Sequence, residues 1–164
     1  MAVQTKIVLE PAAQEVADAF STPPFLYELD YPAARKVLDD AQAAPVEKLP
    51  VDEEWISVPS PFGDARVRII KPQGARDILP VIVYMHGGGW VLGNAATHDR
   101  LVRELAVGAR AALAFVEYPN SPEAHYPVAI EQGYATAQWI TREGSSKGLD
   151  ASRMAVAGES SAGT

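Results

Sequence analysis

Apolar and polar positions fall into two regimes along the chain. Before Pro45 the apolar residues recur at helical spacing, first as Leu9, Ala13, Val16 and Phe20 and then as Ala34, Val37, Leu38 and Ala41, so the pattern predicts two helices with narrow apolar stripes. Pro11 and Pro32 stand where the first turns begin, and Ser21-Thr22-Pro23-Pro24 breaks the pattern between them. After Pro45 short β-type pieces take over. Glu54 to Val58 and Ala65 to Ile70, separated by a turn at Pro59 to Asp64, predict a hairpin. Val81 to Met85 is apolar without interruption, as suits a strand buried on both faces of a sheet.

From there strands and helices alternate. A helix is predicted over Thr97 to Ala109, carrying Leu101, Leu105 and Val107, then a strand over Ala111 to Val116. A second helix is predicted over Val128 to Thr141, carrying Ile130, Tyr134, Ala137 and Ile140 or Thr141, then a strand over Met154 to Ala157. Alternation of this kind implies an α/β fold with a mainly parallel sheet. The chain divides into a helical segment, 1–45, and an α/β core, 46–164.

Charge and composition narrow the function classes. With 14 Lys and Arg against 21 Asp and Glu, the net charge of −7 repels phosphate backbones and anionic lipid surfaces, which argues against a nucleic-acid partner. No apolar run approaches the roughly 18 residues of a membrane span, and the N-terminus lacks a signal-peptide core, so cytoplasmic residence is the expectation. The chain has no cysteine, which removes disulfides, thiolate metal ligands and a thiol nucleophile. No His/Asp/Glu cluster has metal-ligand spacing, so neither metal nor cofactor is expected.

Three stretches, each following a predicted strand, could carry chemistry. His86-Gly87-Gly88-Gly89-Trp90 has consecutive glycines that bring bare N–H groups close to a ligand, as a site for developing negative charge requires. It is not a phosphate loop, because Asn94-Ala95 follows Gly93 where Lys-Ser or Lys-Thr is needed, and Leu92 stands where the dinucleotide pattern has its third glycine. A flexible turn is its plain alternative. Gly158-Glu159-Ser160-Ser161-Ala162-Gly163 places small residues two before and two after Ser160, which permits a sharp strand-to-helix turn that exposes the hydroxyl. Ser161 would have bulky Glu159 at the tightest point, so Ser160 is the better nucleophile candidate, with a simple helix N-cap as the alternative. The third stretch, Glu117 to Pro127, reads alone only as an ordered, proline-studded loop.

Together these stretches resemble the bacterial hormone-sensitive-lipase-like esterases of the α/β-hydrolase fold. The resemblance rests on His86 to Trp90, on Tyr118 with Pro122-Glu123 and Tyr126-Pro127, and on the turn around Ser160. It implies an α/β-hydrolase core with an N-terminal helical cap and a small-molecule acyl ester as substrate. It further implies Ser160 as nucleophile, an oxyanion hole from the N–H groups of Gly88, Gly89 and Ser161, and a pocket walled by Trp90 and covered by side chains near Phe20 to Tyr27. His86, Gly87, Gly158 and Glu159 are supporting motif positions, and a homodimer is compatible with the family. Ser161-Ala162 stand where the family usually has Ala-Gly, and Glu159 where Asp is commoner, so the bonds made by the longer carboxylate are open.

Hydrolases of this fold order their triad Ser, acid, His, and Thr164 lies four residues past Ser160. His86, His98 and His125 all precede Ser160; His98 and His125 are expected to be structural or surface residues. The expectation is therefore the N-terminal part of a longer hydrolase whose C-terminal remainder supplies acid and base. The 164 residues alone are expected to bury too little of their sheet and to lack turnover. A non-catalytic binding protein on the same fold, similar to plant hormone receptors that lack the catalytic His, and a peptidase or amidase are the alternatives.

Overall fold

The computed structural model describes residues 8–163. Helices α1 (Pro11–Ala19) and α2 (Tyr31–Ala41) each follow an extended N-cap residue whose carboxylate accepts a backbone N–H of the first turn, Glu10 from Ala13 and Asp30 from Ala33, with Pro11 and Pro32 already inside that turn. A short 3₁₀ turn at Leu26–Glu28 lies between them. The α2 stripe faces inward at Ala34, Val37 and Leu38, but Leu9, Val16 and Phe20 of the first stripe are exposed. Cap and proline, not burial, define α1.

Five strands form one sheet in the order β1-β2-β4-β3-β5: β1 (Val51–Val58), β2 (Ala65–Pro72), β3 (Leu79–Met85), β4 (Ala112–Glu117) and β5 (Leu149–Gly158). The β1–β2 hairpin and the β2–β4 pair are antiparallel, whereas β4–β3 and β3–β5 are parallel. Only β2 runs against the other four.

Helices α3 (Asp99–Ala109) and α4 (Val128–Glu143) pack against the sheet in two separate cores. Successive strand residues point to opposite faces, so Ile70, Leu113, Phe115 and Tyr84 pack with Val102 and Ala106 of α3, while Ile69, Ala114, Val83 and Val81 share a core with Ile140 of α4. This double burial is why β3 and β4 read as continuous apolar runs. Of the predicted apolar positions, Leu105, Ala137 and Ile140 pack against the sheet, whereas Leu101, Ile130 and Tyr134 are exposed. The buried residues of α4 are Gln132, Gly133, Ala135, Thr136 and Ile140, and a Cβ on Gly133 would lie 2.5 Å from Met85 Sδ, so helix and strand come close at that point because no side chain intervenes.

One charged cluster is buried beside the α3 core. Arg68 on β2 contacts Glu53 of β1 and reaches Asp99 at 2.6 Å, while Arg103 and Lys48 reach the same Asp99 carboxylate at 2.9 and 2.7 Å. Burial opposes ionisation of Asp99, but its three basic partners outweigh it and hold the carboxyl down to about 2. A depressed acid stabilises the fold above its unfolded pKa, near 3.8, and that contribution fades as pH falls toward 2. At pH 7, Asp99→Ala strands Arg68 without its buried partner and is expected to cost about 3 to 5 kcal/mol in urea unfolding; a loss under 1 kcal/mol would count against the cluster as a structural tie.

Candidate active site

The register between β3 and β5 builds the site. Met85 pairs with Gly158, so the residues that leave the two strands, His86-Gly87 and Glu159-Ser160, emerge side by side at the carboxyl ends of the parallel strands. That end of an open parallel sheet is where such folds bind ligands. A Cβ on Gly158 would lie 2.6 Å from Ala162 O and 2.9 Å from Met85 O, so the turn closes only over a bare α-carbon. Ser160 sits at its apex with φ +52, a left-handed conformation costly for a residue with a Cβ, and its side chain is exposed. A 3₁₀ turn, Ser160–Gly163, follows.

The glycine stretch is a second strained turn. Gly88, Gly89 and Trp90 have φ of +112, +64 and +63, and the N–H groups of Val91 and Leu92 close onto Gly88 O at 3.1 and 2.9 Å. A Cβ placed on Gly87 would lie 2.8 Å from Glu159 O and 3.1 Å from the Ser160 Cβ, which puts the two turns in contact. Gly89 N–H donates to Ser161 Oγ at 3.1 Å.

Glu159 ties these parts together. Its Oε1 accepts from Gly87 N–H at 2.7 Å and lies 2.9 Å from His98 Nε2, while its Oε2 accepts from the Tyr84 hydroxyl at 2.8 Å. Burial works against the charge, and these donors prevail, so the carboxyl is held below its ordinary range. The longer acid thus reaches from the turn to strand β3 and to the start of α3.

His86 is wholly buried, stacked on Tyr118 at 4.3 Å and against Phe115 at 5.5 Å, with Nδ1 bonded to Gly87 O at 2.8 Å and Tyr118 donating to its backbone carbonyl. Burial pushes its pKa down to about 4, so the ring is neutral at physiological pH. In the unfolded chain the imidazole protonates near 6.5, so stability is full above that pH and declines as pH falls toward 4, by on the order of 3 kcal/mol. Denaturation measured between pH 7 and 4 is expected to show this slope, and His86→Gln is expected to lack it; equal slopes would contradict a buried neutral ring.

Among the described residues no histidine nitrogen is hydrogen-bonded to the Ser160 hydroxyl: His86 is enclosed, His98 turns to Glu159 and Thr97, and His125 lines a separate hollow with Trp90 and Tyr126. Ser160 opens on a hollow of about 530 Å³ walled by Leu38 of α2 and by Gln42 just past its end, with Leu92, His98 and Leu101. Trp90 does not wall it. The left-handed backbone at Trp90 carries its ring toward Tyr118, at 5.4 Å, and into the hollow beside Pro127. Leu26 and Tyr27 do lie by Gly88 and Gly89, but Phe20 does not join them. His98 as a partner of Glu159 and Arg35 as a partner of the loops were not readable from sequence, since only proximity in three dimensions reveals them. No group of three His, Asp or Glu among the described residues is placed to hold a metal ion. No helix among them is long and apolar enough to cross a membrane.

Two strained turns at the ends of adjacent parallel strands, one glycine-rich and one presenting a serine, define the α/β-hydrolase class. The family model described as alpha/beta hydrolase fold matches residues 82–164, and the chain belongs to that family, on its hormone-sensitive-lipase-like branch. It is 46% identical over 100 residues to carboxylesterase NlhH of Mycobacterium tuberculosis, covering 61% of this chain and 31% of that protein. It is 38% identical over 165 residues to esterase LipI of the same organism, covering 97% and 50%. A solved thermostable esterase from Pseudomonas putida superposes with a TM-score of 0.81 at 39% identity, over 92% of this chain and 48% of that one. The chain spans half or less of the length of these relatives.

Proposed function

We propose that the protein is a serine carboxylic ester hydrolase for short acyl esters. Ser160 Oγ attacks the acyl carbonyl, its proton passes through a base to the departing alcohol, and an acyl-enzyme remains; water then attacks that ester and restores the hydroxyl. The oxyanion formed in each step rests on the N–H groups of Gly88, Gly89 and Ser161, with Gly89 exchanging the Ser161 hydroxyl for the substrate oxygen. The observation that carries the reading is Ser160 exposed at φ +52 directly against the glycine turn. His98 is committed to Glu159, so the reading assigns the triad acid and base to residues beyond Thr164, in the C-terminal remainder of a hydrolase domain. Leu38, Leu92 and Leu101 give the hollow beside Ser160 an apolar lining suited to a small acyl or alcohol group.

Chromogenic acetyl and butyryl esters test the reaction type in the complete protein. An acyl-enzyme mechanism predicts a burst of released alcohol stoichiometric with enzyme whenever deacylation is the slower step. Binding of the ester without any release would instead support a non-catalytic receptor on the same fold.

A further inference from the structure

Arg35, on the cap helix α2, bonds to both the glycine loop and the proline-rich loop. Its Nε donates to Val91 O at 2.9 Å, one terminal nitrogen donates to Ser121 O at 2.9 Å, and both terminal nitrogens grip the Glu123 carboxylate at 2.8 and 2.6 Å. Ser121 N–H in turn donates to Trp90 O at 2.7 Å. The glycine loop, the proline-rich loop and α2 are therefore closed into one ring around Trp90 and Val91. One turn further along α2, Asp39 accepts from Asn94 Nδ2 at 2.9 Å, a second strut from the same helix to the same loop.

Physical need for such a ring lies in the backbone it surrounds. Trp90 holds a left-handed conformation that costs a side-chain-bearing residue about 1 to 2 kcal/mol, and such strain persists only where neighbours fix it. Gly88 and Gly89, immediately before it, have no side chains to hold them in place. We propose that Arg35 is a positioning residue: by fixing Val91 O and Ser121 O it holds the Gly88 and Gly89 N–H groups in the geometry that receives an oxyanion, which makes the cap part of the catalytic framework and not only a cover. The catalytic consequence rests on the ester-hydrolase reading; the structural one does not.

The arrangement separates two roles of the same side chain. Its grip on Glu123 joins α2 to the proline-rich loop through charge, while its bonds to the two carbonyls act on the glycine loop itself. Lysine keeps the charge but lacks the planar fork needed to meet all three acceptors.

The test combines hydrogen exchange with steady-state kinetics on the complete protein and its Arg35→Ala and Arg35→Lys variants. In Arg35→Ala, exchange at the Val91 and Leu92 amides is expected to rise by about tenfold or more while Leu113 in β4 is unchanged. With a short ester, kcat is expected to fall by roughly 10- to 10²-fold with KM moving less than about threefold, as displaced but intact groups produce. Arg35→Lys is expected to recover the protection of α2 but less than half of the loss in kcat on a logarithmic scale. Faster exchange confined to α2, with Val91, Leu92 and kcat unchanged, would overturn the proposal and leave Arg35 a cap anchor. Faster exchange at Val91 and Leu92 in a protein that hydrolyses no ester would keep the positioning role and overturn the ester-hydrolase reading instead.

Discussion

Ser160→Ala is expected to lower ester turnover in the complete protein by about 10⁴-fold or more while changing unfolding free energy by less than about 0.5 kcal/mol. In the proposed mechanism its Oγ is the atom that forms the acyl bond, and alanine has no nucleophile to replace it. The fold is spared because the side chain is exposed and because alanine meets the same left-handed penalty at φ +52 that serine already meets. Ser161→Ala makes the informative comparison, since the two serines adjoin. It keeps the backbone N–H proposed as an oxyanion donor and loses only the hydroxyl that accepts from Gly89, so its effect is expected to stay within about tenfold. Rates measured on a chromogenic acetyl ester decide the matter, and the reverse ranking of the two variants would move the nucleophile to Ser161.

Gly88→Ala is expected to remove turnover by about 10² to 10³-fold, the scale of a lost oxyanion donor. A Cβ at this position would lie 2.4 Å from Leu92 O and 2.8 Å from Leu92 C, against backbone that cannot step aside, at a φ of +112 that side chains rarely adopt. The turn closed by Leu92 N–H on Gly88 O therefore opens, and the donors move with it. Gly89→Ala differs sharply, because nothing lies within 4 Å of its added Cβ and its φ of +64 falls in the left-handed well, so only about 1 to 2 kcal/mol of strain is added. Comparing kcat for the two variants separates steric rupture of the turn from the general intolerance of a glycine loop. Equal losses would show that the contact with Leu92 is not what makes Gly88 necessary.

Particular elements explain how far the sequence could be read. Strands β3 and β4 were legible because both faces are buried, which leaves an apolar run that no loop imitates, and the capped starts of α1 and α2 were legible because Pro11 and Pro32 mark them locally. The faces of α3 and α4 were legible in part. Helical spacing picked out Leu105, Ala137 and Ile140, which pack against the sheet, together with Leu101, Ile130 and Tyr134, which are exposed, and it passed over Val102, Ala106 and the close approach at Gly133, where size matters more than apolarity. The start of β5 at Leu149 was also missed, because the polar Asp150, Ser152 and Arg153 occupy an irregular pairing with β3 ahead of the apolar stretch.

The site shows the same division. The turns at Gly88 and Ser160 were recognisable because backbone conformation restricts which residues can stand there. Glu159 bonding Gly87, Tyr84 and His98, or Arg35 spanning 56 and 88 positions to Val91 and Glu123, depends on the meeting of distant elements that local pattern does not encode. The position of Trp90 in the motif was plain, but the side its ring takes depends on a left-handed φ that local pattern does not encode.

The central claim is that Ser160 forms the covalent bond to the acyl group, and an active-site phosphonate tests it most directly. After reaction of the complete protein with a fluorophosphonate, tryptic cleavage after Arg153 yields a peptide beginning at Met154 that contains both Ser160 and Ser161. One phosphonyl group per chain is expected, placed on Ser160 by fragmentation, with ester turnover lost in step with labelling. A group found on Ser161 or on another peptide, or hydrolysis that continues with Ser160 fully modified, would contradict it.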